Sequence, residues 1–155
     1  MSKKLWMVGL LALAFSLSGY GAEKKADGVP DPVFPPTLEA PAKQLAQRFA
    51  LGLAEALKSG DFASFNAVQP ESEKRKFTSD TFAKMHTALT RRYGKLVNAE
   101  YFGRLDQGRV MDFLWKFSFE KSVDGKTHRH ELLLLTRTGS INGQAVLAGF
   151  SFCFF

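Results

Sequence analysis

Around residue 94 the chain changes rhythm. Before it, apolar side chains recur every three or four positions; after it, they alternate with polar ones. Over residues 109–120, Met111, Phe113, Trp115, Phe117 and Phe119 share one parity, while Asp112, Lys116, Ser118 and Glu120 share the other. Successive side chains of a strand point to opposite faces, so this spacing predicts a long, half-buried strand. Asp124-Gly125 predicts a tight hairpin. Residues 127–138 return as a second strand, with Leu132, Leu133, Leu134 and Leu135 apolar on both faces. Gly139 to Gly143 predict another turn, and residues 144–155 a last strand ending Phe150, Phe152, Phe154 and Phe155. A weaker strand is expected over residues 96–105.

The first half reads as helices. Pro41 suits a first helical turn. Leu45, Phe49, Leu53 and Leu57 follow every four residues with Ala46, Ala50 and Ala54 beside them, which makes one apolar stripe. Gly60 predicts the stop, and Asp61 caps a short helix through Phe62, Phe65 and Val68 that Pro70 closes. A second long helix is expected from Thr78 or Ser79, carrying Phe82, Met85, His86, Leu89 and Tyr93 and ending at Gly94. Helices first and strands afterwards imply an α+β domain, with N-terminal helices packed on one face of a four-stranded antiparallel sheet. The aromatic face should meet Leu45, Phe49, Phe82 and Leu89.

The N-terminus follows a different logic. Lys3 and Lys4 precede an apolar run over residues 5–17, and the small residues Ser18, Gly19, Gly21 and Ala22 come next. That order predicts a secretory signal peptide over residues 1–22, cleaved near Gly21 or Ala22. The run falls short of the roughly 20 residues that span a bilayer, so the expectation is a periplasmic or secreted protein, membrane-bound only if the signal is retained. No Cys lies near the cleavage zone, so the chain is not expected to be a lipoprotein. Pro30, Pro32, Pro35 and Pro36 make residues 23–37 an extended linker, leaving residues 38–155 as a single domain.

Composition narrows the picture further. At 155 residues there is no room for a catalytic domain beside a binding domain. Fifteen Phe in such a chain demand burial. Without residues 1–22, which hold two Lys and no acid, the formal charge falls from +6 to +4, a poor case for nucleic acid. Cys153 is the only cysteine, which excludes an internal disulfide and predicts a small buried apolar thiol.

Several local motifs, taken in order, carry a family resemblance. They are Leu57-Lys58-Ser59-Gly60-Asp61 at a helix end, Phe77-Thr78-Ser79-Asp80-Thr81-Phe82 at a helix start, Tyr93-Gly94 before the strands, and the closing Leu147-Ala148-Gly149-Phe150-Ser151-Phe152. With these, the stretch from 41 to 152 resembles the nuclear-transport-factor-2-like superfamily, and within it exported bacterial domains. The resemblance implies a curved sheet wrapped around helices as a cone with an open mouth. The superfamily includes small-molecule binders, isomerases, dehydratases and assembly domains, so the fold alone does not choose among them.

Candidate chemistry is sparse. His128 and His130 share a strand face and would hold a metal only with a third ligand such as His86 or Asp112; uncoordinated imidazoles at a strand end are the simpler expectation. His130-Glu131 begins a zinc-protease pair, but Leu134 stands where the second histidine belongs. Asp112 near Tyr101 would suit a general base with an oxyanion stabiliser, except that alternation sends Asp112 away from the aromatic face. Ser140 lacks the context of a nucleophile elbow. Lys74-Arg75-Lys76 and Arg91, Arg92 and Lys95 are basic clusters expected to be solvated.

No catalytic residue, metal or cofactor is therefore assigned. The expected function is binding, of a small apolar ligand or a protein partner, in a pocket between helices and sheet lined by Tyr93, Tyr101, Phe113, Trp115 and Phe117. A small isomerase- or dehydratase-like enzyme using the same pocket is the alternative. Leu114, Leu133 and Leu135 leave the other sheet face partly apolar, and a sheet-to-sheet homodimer would cover it.

Overall fold

The computed structural model describes residues 33–69, 71–74 and 77–153. The expected signal peptide, most of the expected linker, Pro70, Arg75, Lys76, Phe154 and Phe155 lie outside the described residues. A 3-10 turn at Pro36–Leu38 leads into helix α1 at Glu39–Ser59. Helices α2 (Phe62–Val68), α3 (Glu71–Lys74) and α4 (Ser79–Tyr93) follow. Strands β1 (Lys95–Gln107), β2 (Val110–Val123), β3 (Lys126–Ile141) and β4 (Gln144–Cys153) then form an open antiparallel sheet in chain order. The architecture is the α+β arrangement that the change of period implies.

Local chemistry fixes the helix ends. Gly60 adopts φ 72° after α1, a left-handed cap that a side chain disfavours. Asp61 then accepts from the N–H groups of Ala63 and Ser64, at 2.9 and 3.1 Å, and caps α2. The Ser64 hydroxyl first, then those two N–H groups, hold the Asp61 carboxyl below its ordinary value of 3.8. Its stabilising contribution is therefore present above that value and is lost as pH falls through the lowered folded pKa. At the end of α4, Lys121 reaches back from β2 to donate to the Arg91 carbonyl at 2.6 Å.

The core lies between the helices and one sheet face. Met111, Phe113, Trp115, Phe117 and Phe119 of β2 are buried, as are Leu132, Leu134, Thr136 and Thr138 of β3. Helix α1 answers with Ala42, Ala46, Ala50 and Ala54, whose small side chains let it sit close above the rings, and with Phe49, Leu53 and Leu57. Phe82, Met85 and Leu89 come down from α4. Leu45, expected in the same stripe, is only half-buried.

Four details differ from the sequence reading. β1 runs longer than expected, and register shifts at Leu96/Asn98 and Tyr101/Gly103 break its alternation, which is why its pattern is faint. The third turn is confined to Asn142-Gly143, both at positive φ (50° and 73°), so Gly139 and Ser140 remain in β3. Cys153 is half-buried rather than enclosed. The folded unit also begins before residue 38. Phe34 is 3% exposed, and its N–H donates to the Gly108 carbonyl, because a single Phe among prolines still gains by leaving water.

Gly94 joins the two halves at φ 91°, ψ −152°, a region almost closed to other residues. A methyl added there would overlap the Glu120 carbonyl. Gly94→Ala is therefore expected to lower unfolding stability by about 2–4 kcal/mol in urea titration. A loss below about 0.5 kcal/mol would show that the junction is relaxed.

Candidate functional site

Among the described residues, the five pocket residues expected from the sequence are divided between the packed core and the surface. Phe113, Trp115 and Phe117 are 0–2% exposed inside the core. The Trp115 indole N–H donates to Thr136 Oγ1 at 3.1 Å, and that hydroxyl donates to the Phe113 carbonyl at 3.1 Å, so the buried polar atoms there are satisfied. Phe117 packs edge-on against Phe152 at 5.6 Å. Nearby, Phe49, Phe65, Phe77 and Phe150 form a ring cluster with centroids 4.9–6.2 Å apart. Tyr101 sits edge-on to Trp115 at 5.2 Å with Lys43 Nζ 4.4 Å above its ring, and is 40% exposed. Tyr93 lies against Phe119 and His130 instead, at 6.0 and 5.7 Å.

The catalytic and metal candidates are dispersed as well. Asp112 is on the face opposite Tyr101, as alternation requires, yet it is fully buried. Arg137 covers it with two parallel bonds, Nε to Oδ1 and Nη2 to Oδ2, both 2.8 Å. The Asp112 hydrogen bond, first, raises the Arg137 pKa above its usual value. The carboxylate is thus occupied by Arg137 on both oxygens. His86 stacks on Phe82 at 6.1 Å, His130 meets Tyr93, and His128 is exposed. Among the described residues no group of three metal-ligating side chains forms. Ser140 stays in β3, and Arg91, Arg92 and Lys95 are exposed.

An open recess lies elsewhere, between α1, the end of α2, α3 and the start of β4. It encloses about 380 Å³. Leu45, Val68, Ala145 and Leu147 supply apolar walls, and Arg48 and Gln69 the chief polar groups. Gln69 is 5% exposed at the C-terminal end of α2. Its Nε2 donates weakly to the Phe77 carbonyl at 3.5 Å, and its Oε1 has no partner among the described residues. A buried acceptor left open costs about 1–3 kcal/mol, so it marks a place where a donor fits. The sequence did not expose it: a Gln beside a Pro at a helix end reads as a solvated cap, and its burial comes from Phe77 and β4, distant in the chain.

No family model matches the chain, and no curated protein matches it at a meaningful level. Among solved structures, AclR, a candidate hydroxylase from Streptomyces galilaeus, is similar at 14% identity and TM-score 0.41, over 69% of this chain and 75% of that one. A SEC-C motif protein from Rhodopseudomonas palustris is similar at 12% identity and TM-score 0.37, over 71% of this chain and 87% of that one.

The unpaired oxygen makes a directional prediction. Gln69→Met keeps volume and removes the buried amide, so the ligand-free protein should gain about 1 kcal/mol in chemical denaturation. A loss of about 1 kcal/mol or more would mean that the carboxamide is already satisfied.

Proposed function

We propose that this chain is an exported binding domain that holds a ligand or a partner's side chain in the recess between helices and sheet, without performing chemistry on it. The observation that carries this reading is the buried, unpartnered Gln69 Oε1 in a cavity that also presents Arg48. The ring-filled interior behind Trp115 supports moving the seat away from the five residues expected to line it. An isomerase-like reading would need a free carboxylate or imidazole aimed into the cavity, whereas Glu71 on its wall is paired with Lys74 and Asp112 is engaged by Arg137 on the far face. The leader-like residues 1–22 support export, and the order of elements supports kinship with the nuclear-transport-factor-2-like superfamily.

A second reading, self-association, is favoured by the outer sheet face. Leu105 and Ile141 are 47% and 55% exposed there, beside half-buried Leu114, Leu133 and Leu135. A two-fold partner would remove this apolar surface from water.

Two measurements check these readings. In an NMR screen with a mixture of small fragments, shift changes should cluster at Leu45, Val68 and Leu147, and Ala67→Trp, at an exposed wall position, should abolish them. Changes that ignore this substitution would sink the recess as the seat. In sedimentation equilibrium the protein should dimerise, with Leu135→Lys weakening the dimer about tenfold or more. A strict monomer at high concentration removes the dimer.

A further inference from the structure

We infer that the recess recognises an apolar α-amido acid: a carboxylate, a neighbouring amide N–H and a hydrophobic side chain on one small unit. This rests on the recess being the binding seat and names the chemistry that would fill it.

Each part of that ligand answers one feature of the site. The Gln69 amide turns its NH2 toward the Phe77 carbonyl, so the atom it leaves open, buried at the wall of the recess, is an acceptor. Only a ligand N–H or O–H can pair with it. Arg48 makes no ion pair among the described residues, and a guanidinium donates only. Glu71, the one carboxylate among the described residues of the wall, is already held by Lys74 at 2.7 Å. Arg48 is exposed and open to an incoming group, and a planar carboxylate fits its paired donors. Cationic ligands are disfavoured by the same charge. Leu45, Val68, Ala145 and Leu147 want an aliphatic group. A cavity of about 380 Å³ lies near the small end of ligand sites, which limits the buried part to about one residue.

Two sources carry this chemistry, a free N-acylated amino acid and the C-terminal residue of a peptide. The recess is bounded by β4, which among the described residues pairs with β3 alone, so a longer peptide has a strand edge to follow out of the cavity.

The test uses the full-length protein and four probes: N-acetyl-leucine, N-acetyl-leucinamide, 4-methylpentanoate and acetyl-Gly-Gly-Leu. In NMR titrations N-acetyl-leucine should shift Leu45, Val68 and Leu147. The amide, lacking the carboxylate, and 4-methylpentanoate, lacking the N–H, should each bind about tenfold more weakly. Arg48→Gln, at an exposed position, should cut N-acetyl-leucine binding about tenfold and leave the leucinamide unchanged. Gln69→Met should erase the preference over 4-methylpentanoate. Tighter binding of acetyl-Gly-Gly-Leu identifies a peptide terminus as the source, and equal binding identifies the free acylated amino acid; both support the inference. If the fragment mixture maps to the recess while the four probes bind equally or not at all, this inference falls and the seat stands. If neither fragments nor probes perturb it, the seat falls too.

Discussion

One burial requirement organises the molecule: the ring-bearing face of β2 has to leave water, and α1 and α4 cover it. Phe113, Trp115, Phe117 and Phe119 are each 2% exposed or less. At roughly 1.5–3 kcal/mol for a fully buried large apolar side chain, these four outweigh any polar contact in the structure. Their bulk also dictates the helix above them. Ala42, Ala46, Ala50 and Ala54 give α1 a low face, so rings from the sheet rise to fill the space that larger helix residues would take. Gly52 serves the neighbouring contact in the same way, since a side chain there would collide with Val68 of α2.

Most polar groups trapped by this packing are paired at the sheet, while Ser118 Oγ of β2 and Gln69 Oε1 at one edge have no partner among the described residues. Thr138 donates to the Met111 carbonyl at 2.9 Å, repeating two residues on what Thr136 does for Phe113. On the outer face, Asp112 and Arg137 form a pair with the carboxylate end fully buried, and breaking such a pair from one side costs about 3–5 kcal/mol. Lys116 bridges Glu100 at 2.6 Å and Glu131 at 3.7 Å farther along that face. Its pairing with Glu100, chiefly through their hydrogen bond, raises the Lys116 pKa and lowers that of Glu100, a surface device of little weight in the fold. Of the two open atoms, Gln69 Oε1 is the one whose residue lines the recess, beside Arg48.

The residues that announced themselves in the sequence are those whose roles are local. The five alternating apolar positions of β2, the α1 stripe, and the Gly60-Asp61 cap could be read directly, because helix and strand periods act on neighbours. β1 was faint for a physical reason, since two register shifts place consecutive residues on one face. Phe34 was hidden inside a proline run whose polyproline tendency outweighs one aromatic in any local reading. The recess could not be read at all. Arg48, Gln69 and Leu147 are brought together by three separate elements, and nothing at any one position signals the other two. Likewise Asp112 looked like a stray carboxylate, because its partner Arg137 is a register neighbour on β3 rather than a sequence neighbour.

If the buried face of β2 is the keystone, its backbone should open only when the whole domain opens. Native-state hydrogen exchange along Phe113, Leu114, Trp115, Lys116, Phe117, Ser118 and Phe119 tests this most directly. The account predicts that these amides exchange with an opening free energy equal to that of global unfolding and with the same denaturant dependence. Exchange through a small local opening, well below the global value, would contradict it and leave both the sheet's role and the recess it frames without support.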